Sequence, residues 1–162
     1  MRLIHYGASE YDPDKFKPVR NRNWIKPYGG LWSSPVKTRY GWKEWCIEEE
    51  FRIDVDHLDK LFEFSIDGNI IHIHKYSDLE QLTWTEDSVI TGNYVLDFES
   101  MVESGIDAIH LTEQGQEKTR LGFGYASPLE TKNLYGWDCE CVLVLNKEII
   151  TPEAGVVAKL KY

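Results

Sequence analysis

The chain has 162 residues, 42% of them hydrophobic, and its 18 Lys and Arg against 27 Asp and Glu give a formal net charge of −9. This size and composition predict one globular domain over residues 1–162 with its own hydrophobic core. The acidic balance disfavours binding to a nucleic-acid backbone without regard to sequence. No apolar run approaches the ~18–20 residues that a membrane-spanning helix needs.

The N-terminal part of the chain is predicted to hold two short strands separated by a loop. Arg2–Tyr6 has the pattern of a strand, and the polar, proline-containing residues 8–23 predict a long loop. Gly29 and Gly30 precede a very short apolar strand that ends at Pro35. Paired glycines allow the backbone to approach another group closely.

The middle of the chain is predicted to hold a helix and then a hairpin. Residues 40–51 place Trp42, Trp45 and Cys46 at helical spacing, which predicts an amphipathic helix. Residues 60–66 and 70–76 alternate in polarity around the turn sequence Asp-Gly-Asn, which predicts two antiparallel strands.

Capping signals predict two further short helices. Ser77 and Glu80 have the spacing of a capping box. Asp97 precedes the helical pattern of residues 98–104, and Gly105 supplies a stop.

The C-terminal part is predicted to be mainly strand. Residues 106–111 and 137–146 are apolar strand candidates, a polar and glycine-containing stretch over 112–136 separates them, and residues 156–160 predict a last strand. This order of elements predicts a single α+β domain.

The strand over 137–146 has two different predicted faces. Asp138 and Glu140 begin one face, while Cys139 and Cys141 begin an apolar face. Two carboxylates at the start of a buried strand suggest that this end of the sheet meets a cleft, where one pKa would be raised. The alternative is an exposed strand end with solvated acids.

The three cysteines, Cys46, Cys139 and Cys141, cannot form a fully paired disulfide framework. No charged and then apolar leader precedes the first strand. Both features predict a reducing, cytoplasmic location.

Three short segments together resemble the motif strands of ADP-ribosyltransferases. They are Leu3-Ile4-His5-Tyr6-Gly7, Gly29-Gly30-Leu31-Trp32-Ser33-Ser34 and Asp138-Cys139-Glu140, in that order along the chain. Residues 134–140 are also similar to small phage-encoded proteins of this type. The resemblance implies an α+β fold with an ADP-ribosyltransferase-like split β-sheet core and a few short helices.

The resemblance also implies an activity and a site. The protein would transfer ADP-ribose from NAD⁺, without a metal, to a protein or nucleic-acid acceptor, in the host cytoplasm if it is phage-encoded. Glu140 would stabilise the positive charge that develops on the ribose, and Asp138 stands where arginine-modifying members carry Glu or Gln. The residues expected to bind NAD⁺ are His5, Tyr6, Gly7, Gly30, Leu31, Trp32, Ser33, Ser34, Tyr40 and Trp42. Arg20, Arg22 or Lys26 would meet the pyrophosphate.

Three other hypotheses remain open. His72 and His74 have a spacing seen in zinc sites, with His110, His57 or Asp67 as candidates for a third ligand. The net charge also permits an acidic, non-catalytic inhibitor that binds a partner. An NAD⁺ glycohydrolase would use the same fold with water as the acceptor.

Overall fold

The computed structural model describes residues 1–22, 25–53, 56–88, 90–120 and 132–153, and the predicted α+β class is confirmed. A seven-stranded mixed sheet forms the centre, and a two-stranded ribbon and short helices surround it. The strands are β1 (Arg2–Tyr6), β2 (Leu31–Pro35), β3 (Leu61–Ile66), β4 (Ile70–Ile73), β5 (Trp84–Glu86), β6 (Tyr94–Leu96), β7 (Ala108–Leu111), β8 (Cys141–Val144) and β9 (Ile150–Pro152). The helices are α1 (Trp42–Glu48), α2 (Phe98–Glu103) and α3 (Glu113–Thr119), with 3₁₀ turns at Pro13–Lys15, Tyr76–Gln81 and Lys147–Ile149.

The strand order in the large sheet is β4-β7-β8-β2-β1-β3-β9. All neighbouring pairs are antiparallel except β4 and β7, which are parallel. The register pairs of β1 and β2 are Leu3↔Pro35 and Ile4↔Ser34, so strand pairing stops before Tyr6 of β1 and Leu31 of β2. The sheet therefore has two halves, β4-β7-β8-β2 and β1-β3-β9.

The sheet is strongly bent, because β3 and β4 are consecutive in the chain but five positions apart in the strand order. In a flat sheet five spacings of ~4.8 Å amount to about 24 Å. Residues 67–69 connect the two strands and span at most about 14 Å. The bend brings the end of β3 close to the start of β4, and Asp107 holds the connection by accepting a hydrogen bond from Asn69 N at 2.9 Å.

Two buried clusters occupy the two sides of the sheet. The inner core combines residues from both halves, since Leu3 and Phe64 cluster with Ala108, Val142 and Val144. The outer core lies between the other side of the sheet and the short helices, and its members include Ile73, Leu79, Leu96, Phe98, Met101, Ile109, Leu143 and Trp137.

The predicted helices are present but shorter than expected. The helix predicted over 40–51 is α1. The segment of Ser77 and Glu80 forms the 3₁₀ turn at Tyr76–Gln81, but the predicted capping pair is wrong, because Lys75 is the N-cap and its N donates to Asp78. Asp97 caps α2 as predicted, because its side chain accepts a hydrogen bond from Ser100 N. Every helix within the described part of the chain is too short and polar to cross a bilayer.

The predicted hairpin over 60–76 is wrong. Both strands exist, but β3 pairs with β1 and β9, whereas β4 pairs with β7 in the other half of the sheet. Alternating polarity identifies a strand with one buried face and says nothing about its partner.

Several boundaries in the C-terminal part also differ from the predictions. The late strand begins at Cys141 rather than at residue 137. The polar stretch after Thr112 contains α3, which Thr112 caps by accepting a hydrogen bond from Gly115 N. β5, β6 and β9 were not predicted, and the strand predicted over 156–160 lies outside the described residues.

Candidate functional site

A cavity of about 350 Å³ opens where β1 and β2 stop pairing. Residues from β1, β2, α1 and the segment before β8 surround it. Its lining residues are Ile4, His5, Tyr6, Lys26, Trp32, Ser33, Trp42, His57, Gly136, Trp137, Asp138, Cys139 and Cys141. This volume lies towards the small end of the ~300–1,000 Å³ that is usual for small-molecule sites.

Aromatic rings form much of the cavity wall. The Trp32 and Trp137 rings meet edge to face, with centroids 4.7 Å apart. Trp42 stacks on Trp45 at 5.1 Å, and the Lys26 amine lies 5.7 Å from the centroid of the Trp32 ring. The wall thus combines flat apolar surfaces with one cation, a combination suited to a planar ligand that carries negative charge elsewhere.

His5 bridges the gap between β1 and β2. Its Nδ1 lies 2.7 Å from the carbonyl oxygen of Trp32. A carbonyl can only accept, so Nδ1 carries the hydrogen and Nε2 keeps its lone pair. Burial lowers the pKa of His5 below its ordinary value of 6.5, which favours the neutral ring at neutral pH.

His57 and Tyr6 add polar atoms to the cavity wall. Trp42 Nε1 donates a hydrogen bond to His57 Nε2 at 3.0 Å. Burial raises the pKa of Tyr6 to about 12, so its hydroxyl group stays protonated at neutral pH.

The two candidate carboxylates have different surroundings. Asp138 lines the cavity, and its Oδ1 lies 3.4 Å from the guanidinium of Arg120. Glu140 is not among the lining residues, because its Oε1 lies 3.0 Å from His110 Nε2. Residues 138–140 precede the regular strand, so the predicted sharing of one face does not apply to them.

Ser33 and Ser34 anchor the backbone of the segment that carries Glu140. Ser33 Oγ donates to the carbonyl of Val142 at 3.2 Å, and Ser34 Oγ donates to the carbonyl of Glu140 at 3.3 Å. Trp42 N in turn donates to Ser34 Oγ at 2.9 Å. Ser34 therefore contacts Glu140 through its backbone, and Ser33 holds the neighbouring backbone at Val142.

The cavity brings together about half of the predicted site residues. Those that line it are His5, Tyr6, Trp32, Ser33, Trp42 and Asp138. Those that do not are Gly7, Gly30, Leu31, Ser34, Tyr40 and Glu140. Tyr40 donates its hydroxyl hydrogen to Glu48 at 2.5 Å, and a side chain at Gly30 would collide with Leu143 and the carbonyl of Val144. Gly30 is thus required by packing between β2 and β8.

Sequence reasoning did not place His57, Trp137 or the two late cysteines at the cavity. For Trp137 the available signal was its position directly before Asp138, the first of the two predicted acids. Cys139 is a weak candidate nucleophile, since burial raises the pKa of its thiol to about 12.

Comparison with known protein families, curated proteins and solved structures finds no match to this chain. In the described ranges, no three His, Cys, Asp or Glu side chains are grouped so that they could hold a metal ion.

Proposed function

We propose that the protein is a mono-ADP-ribosyltransferase that moves ADP-ribose from NAD⁺ to a macromolecular acceptor. The observation that carries this proposal is that His5, Ser33 and Asp138, from three distant segments, line one cavity. β2 also pairs with β1 on one side and with β8 on the other, which supports the proposal that the three segments form one site. The proposal includes the fold, with the two halves of the bent sheet as an ADP-ribosyltransferase-like split core.

The lining of the cavity supports a nicotinamide site. Only one half of a dinucleotide would lie inside a cavity of about 350 Å³. Trp32 and Trp42 would provide ring faces for the nicotinamide, and Lys26 would provide positive charge for the pyrophosphate.

The proposed reaction needs a carboxylate beside the ribose. The bond between the nicotinamide nitrogen and ribose C1′ breaks, nicotinamide leaves with the bonding electrons, and positive charge develops on the ribose. An acceptor group then bonds to C1′ and loses its proton. Asp138 is the carboxylate that lines the cavity, so we assign the stabilisation of this charge to Asp138 rather than to Glu140.

The test measures NAD⁺ consumption and transfer of labelled ADP-ribose in a cell lysate. We expect Asp138→Asn to lower both rates by about 100-fold or more, because it removes the negative charge at the reacting bond. Glu140→Gln is expected to retain more than about a tenth of the wild-type rate, because Glu140 does not line the cavity and so does not act on the developing charge. Arg120→Gln is the matched control, since it removes the ion pair of Asp138 and keeps the carboxylate.

Three outcomes would change the proposal. If the wild-type protein consumes no NAD⁺ with any lysate, the enzymatic function is wrong. Free ADP-ribose without a labelled macromolecule would indicate a glycohydrolase. A loss of activity in Glu140→Gln alone would return the role to Glu140.

A further inference from the structure

Three hydrogen-bonded side chains, those of Glu140, His110 and His72, form a row outside the cavity. Glu140 Oε1 lies 3.0 Å from His110 Nε2, and His110 Nδ1 lies 2.9 Å from His72 Nδ1. The side chains of Glu140 and His110 are only 14% and 9% exposed, whereas His72 is exposed. The parallel pairing of β4 with β7 places His72 directly opposite His110.

The carboxylate of Glu140 determines which ring nitrogen of His110 carries a hydrogen. Glu140 meets His110 through its carboxylate oxygen Oε1, which lies 3.0 Å from Nε2. An ionised carboxylate only accepts, so His110 Nε2 must donate. In the neutral ring Nδ1 then holds a lone pair, and that lone pair is directed at His72.

We propose that His72 and His110 bind a late divalent transition-metal ion, such as Zn²⁺, through their Nδ1 atoms. Glu140 is then the outer carboxylate that fixes the tautomer and orientation of His110, a common arrangement behind metal-bound histidines. Imidazole nitrogen favours zinc, nickel or copper over magnesium or calcium. Water completes the coordination, since these two histidines are the only side chains that we assign as ligands.

The geometry needs a small adjustment to accept the ion. Two nitrogen ligands at ~2.0–2.1 Å in a tetrahedral arrangement lie about 3.4 Å apart, against 2.9 Å between the two Nδ1 atoms here. His72 can move because it is exposed. The hydrogen that now lies between the rings moves to the Nε2 atom of His72, so binding to the neutral pair releases no net proton.

His74, one residue beyond the end of β4, offers a matched control. Its ring is nearly parallel to that of His72, at 13°, with centroids 6.0 Å apart. Lone pairs lie in the ring plane, so two parallel rings at this separation do not direct them to one ion. The His72 and His110 rings instead meet at 78°.

The experiment measures Zn²⁺ binding to the tag-free, metal-stripped protein by calorimetry, with Co²⁺ absorption as a second readout. We expect one ion per chain, with affinity lowered at least about tenfold in His72→Asn and about 10–100-fold in Glu140→Gln. His74→Asn should bind within about twofold of the wild-type affinity, since it removes no ligand or supporting partner. Mg²⁺ should not compete.

Two results would overturn the site. The first is a wild-type affinity no higher than that of His72→Asn, and the second is an equal loss in His74→Asn. Because His72 is exposed, its variant remains informative even if substitution of the buried His110 disturbs folding. The readout uses no NAD⁺, so it does not depend on the proposed transferase activity.

Discussion

His5 is the residue whose contacts most directly link fold and site. Its ring packs on Phe62 in the neighbouring strand, with centroids 5.1 Å apart, and its Nδ1 donates to the Trp32 carbonyl across the gap between β1 and β2. A side chain in this place can both hold the strands at the cavity and present its free Nε2 to a ligand. Stability and binding at this position are therefore coupled.

Replacing His5 with Phe is expected to lower the free energy of unfolding at pH 7.5 by about 1–2 kcal/mol. The variant keeps an aromatic ring but removes the donor to the Trp32 carbonyl. The loss should shrink at pH 5.5. Burial lowers the folded-state pKa of His5 below 6.5, so the unfolded state binds more protons and wild-type stability falls as pH drops through 6.5.

Urea unfolding of both proteins at the two pH values tests this. His5→Asn is the control, because its side-chain amide can still donate a hydrogen bond. A difference between wild type and His5→Phe that is the same at both pH values would contradict the proposed neutral state of His5.

At the scale of single elements, Asp97 shows how a cap joins a helix to a distant loop. Its carboxylate accepts hydrogen bonds from Ser100 N at 3.0 Å and from Asn21 Nδ2 at 2.7 Å. Asn21 Oδ1 in turn accepts from Phe98 N at 2.8 Å. The start of α2 and the loop before β2 are thus held by one polar cluster.

Asp97→Ala is expected to lower the free energy of unfolding by about 1–2 kcal/mol at pH 7, with Asp97→Asn losing less. Partial burial raises the pKa of Asp97, but its hydrogen bonds lower it further, so the folded-state pKa lies below 3.8. The ionised cap therefore stabilises the fold fully above pH 3.8. This contribution is lost as the pH falls from 3.8 through the lower folded-state pKa. Thermal unfolding at pH 7 and pH 3 should show a smaller gap between wild type and Asp97→Ala at pH 3. A gap that does not change would contradict an ionised cap.

Whether a segment is a helix or a strand was easier to predict from the sequence than which strands pair with each other. The cap at Asp97 is a local signal, because the capping oxygen and the helix N–H belong to residues three apart. The pairing of β4 with β7 depends on residues 38 positions apart, such as His72 and His110, and no local pattern encodes it. The strand predicted to include residues 138–140 was wrong there for a similar reason. Glu140 bonds to Tyr40 and His110, which are distant in the sequence, and the regular strand begins only at Cys141.

At the scale of the whole molecule, the bend of the sheet creates the inner core. Phe64 and Ala108 belong to one cluster although their strands are four positions apart in the sheet. The cavity lies in the same sheet, where β1 and β2 stop pairing. Alternating patterns in the sequence predicted the α+β class. The bend of the sheet could not be predicted in this way, because it follows from a three-residue connection between β3 and β4 together with the pairing of these strands far apart in the sheet.

Because the inner and outer cores share the strands of one sheet, we expect the whole chain to unfold in one transition. Leu79→Ala in the outer core should lower the free energy of unfolding by about 2–5 kcal/mol, and Phe64→Leu in the inner core should also destabilise the protein. In both variants, far-UV circular dichroism and tryptophan fluorescence should report the same urea midpoint. Val102→Ala, at a 37% exposed position of α2, should change stability by no more than about 0.5 kcal/mol. Separate midpoints for the two probes would show that the halves of the sheet unfold independently and would contradict the prediction of a single domain.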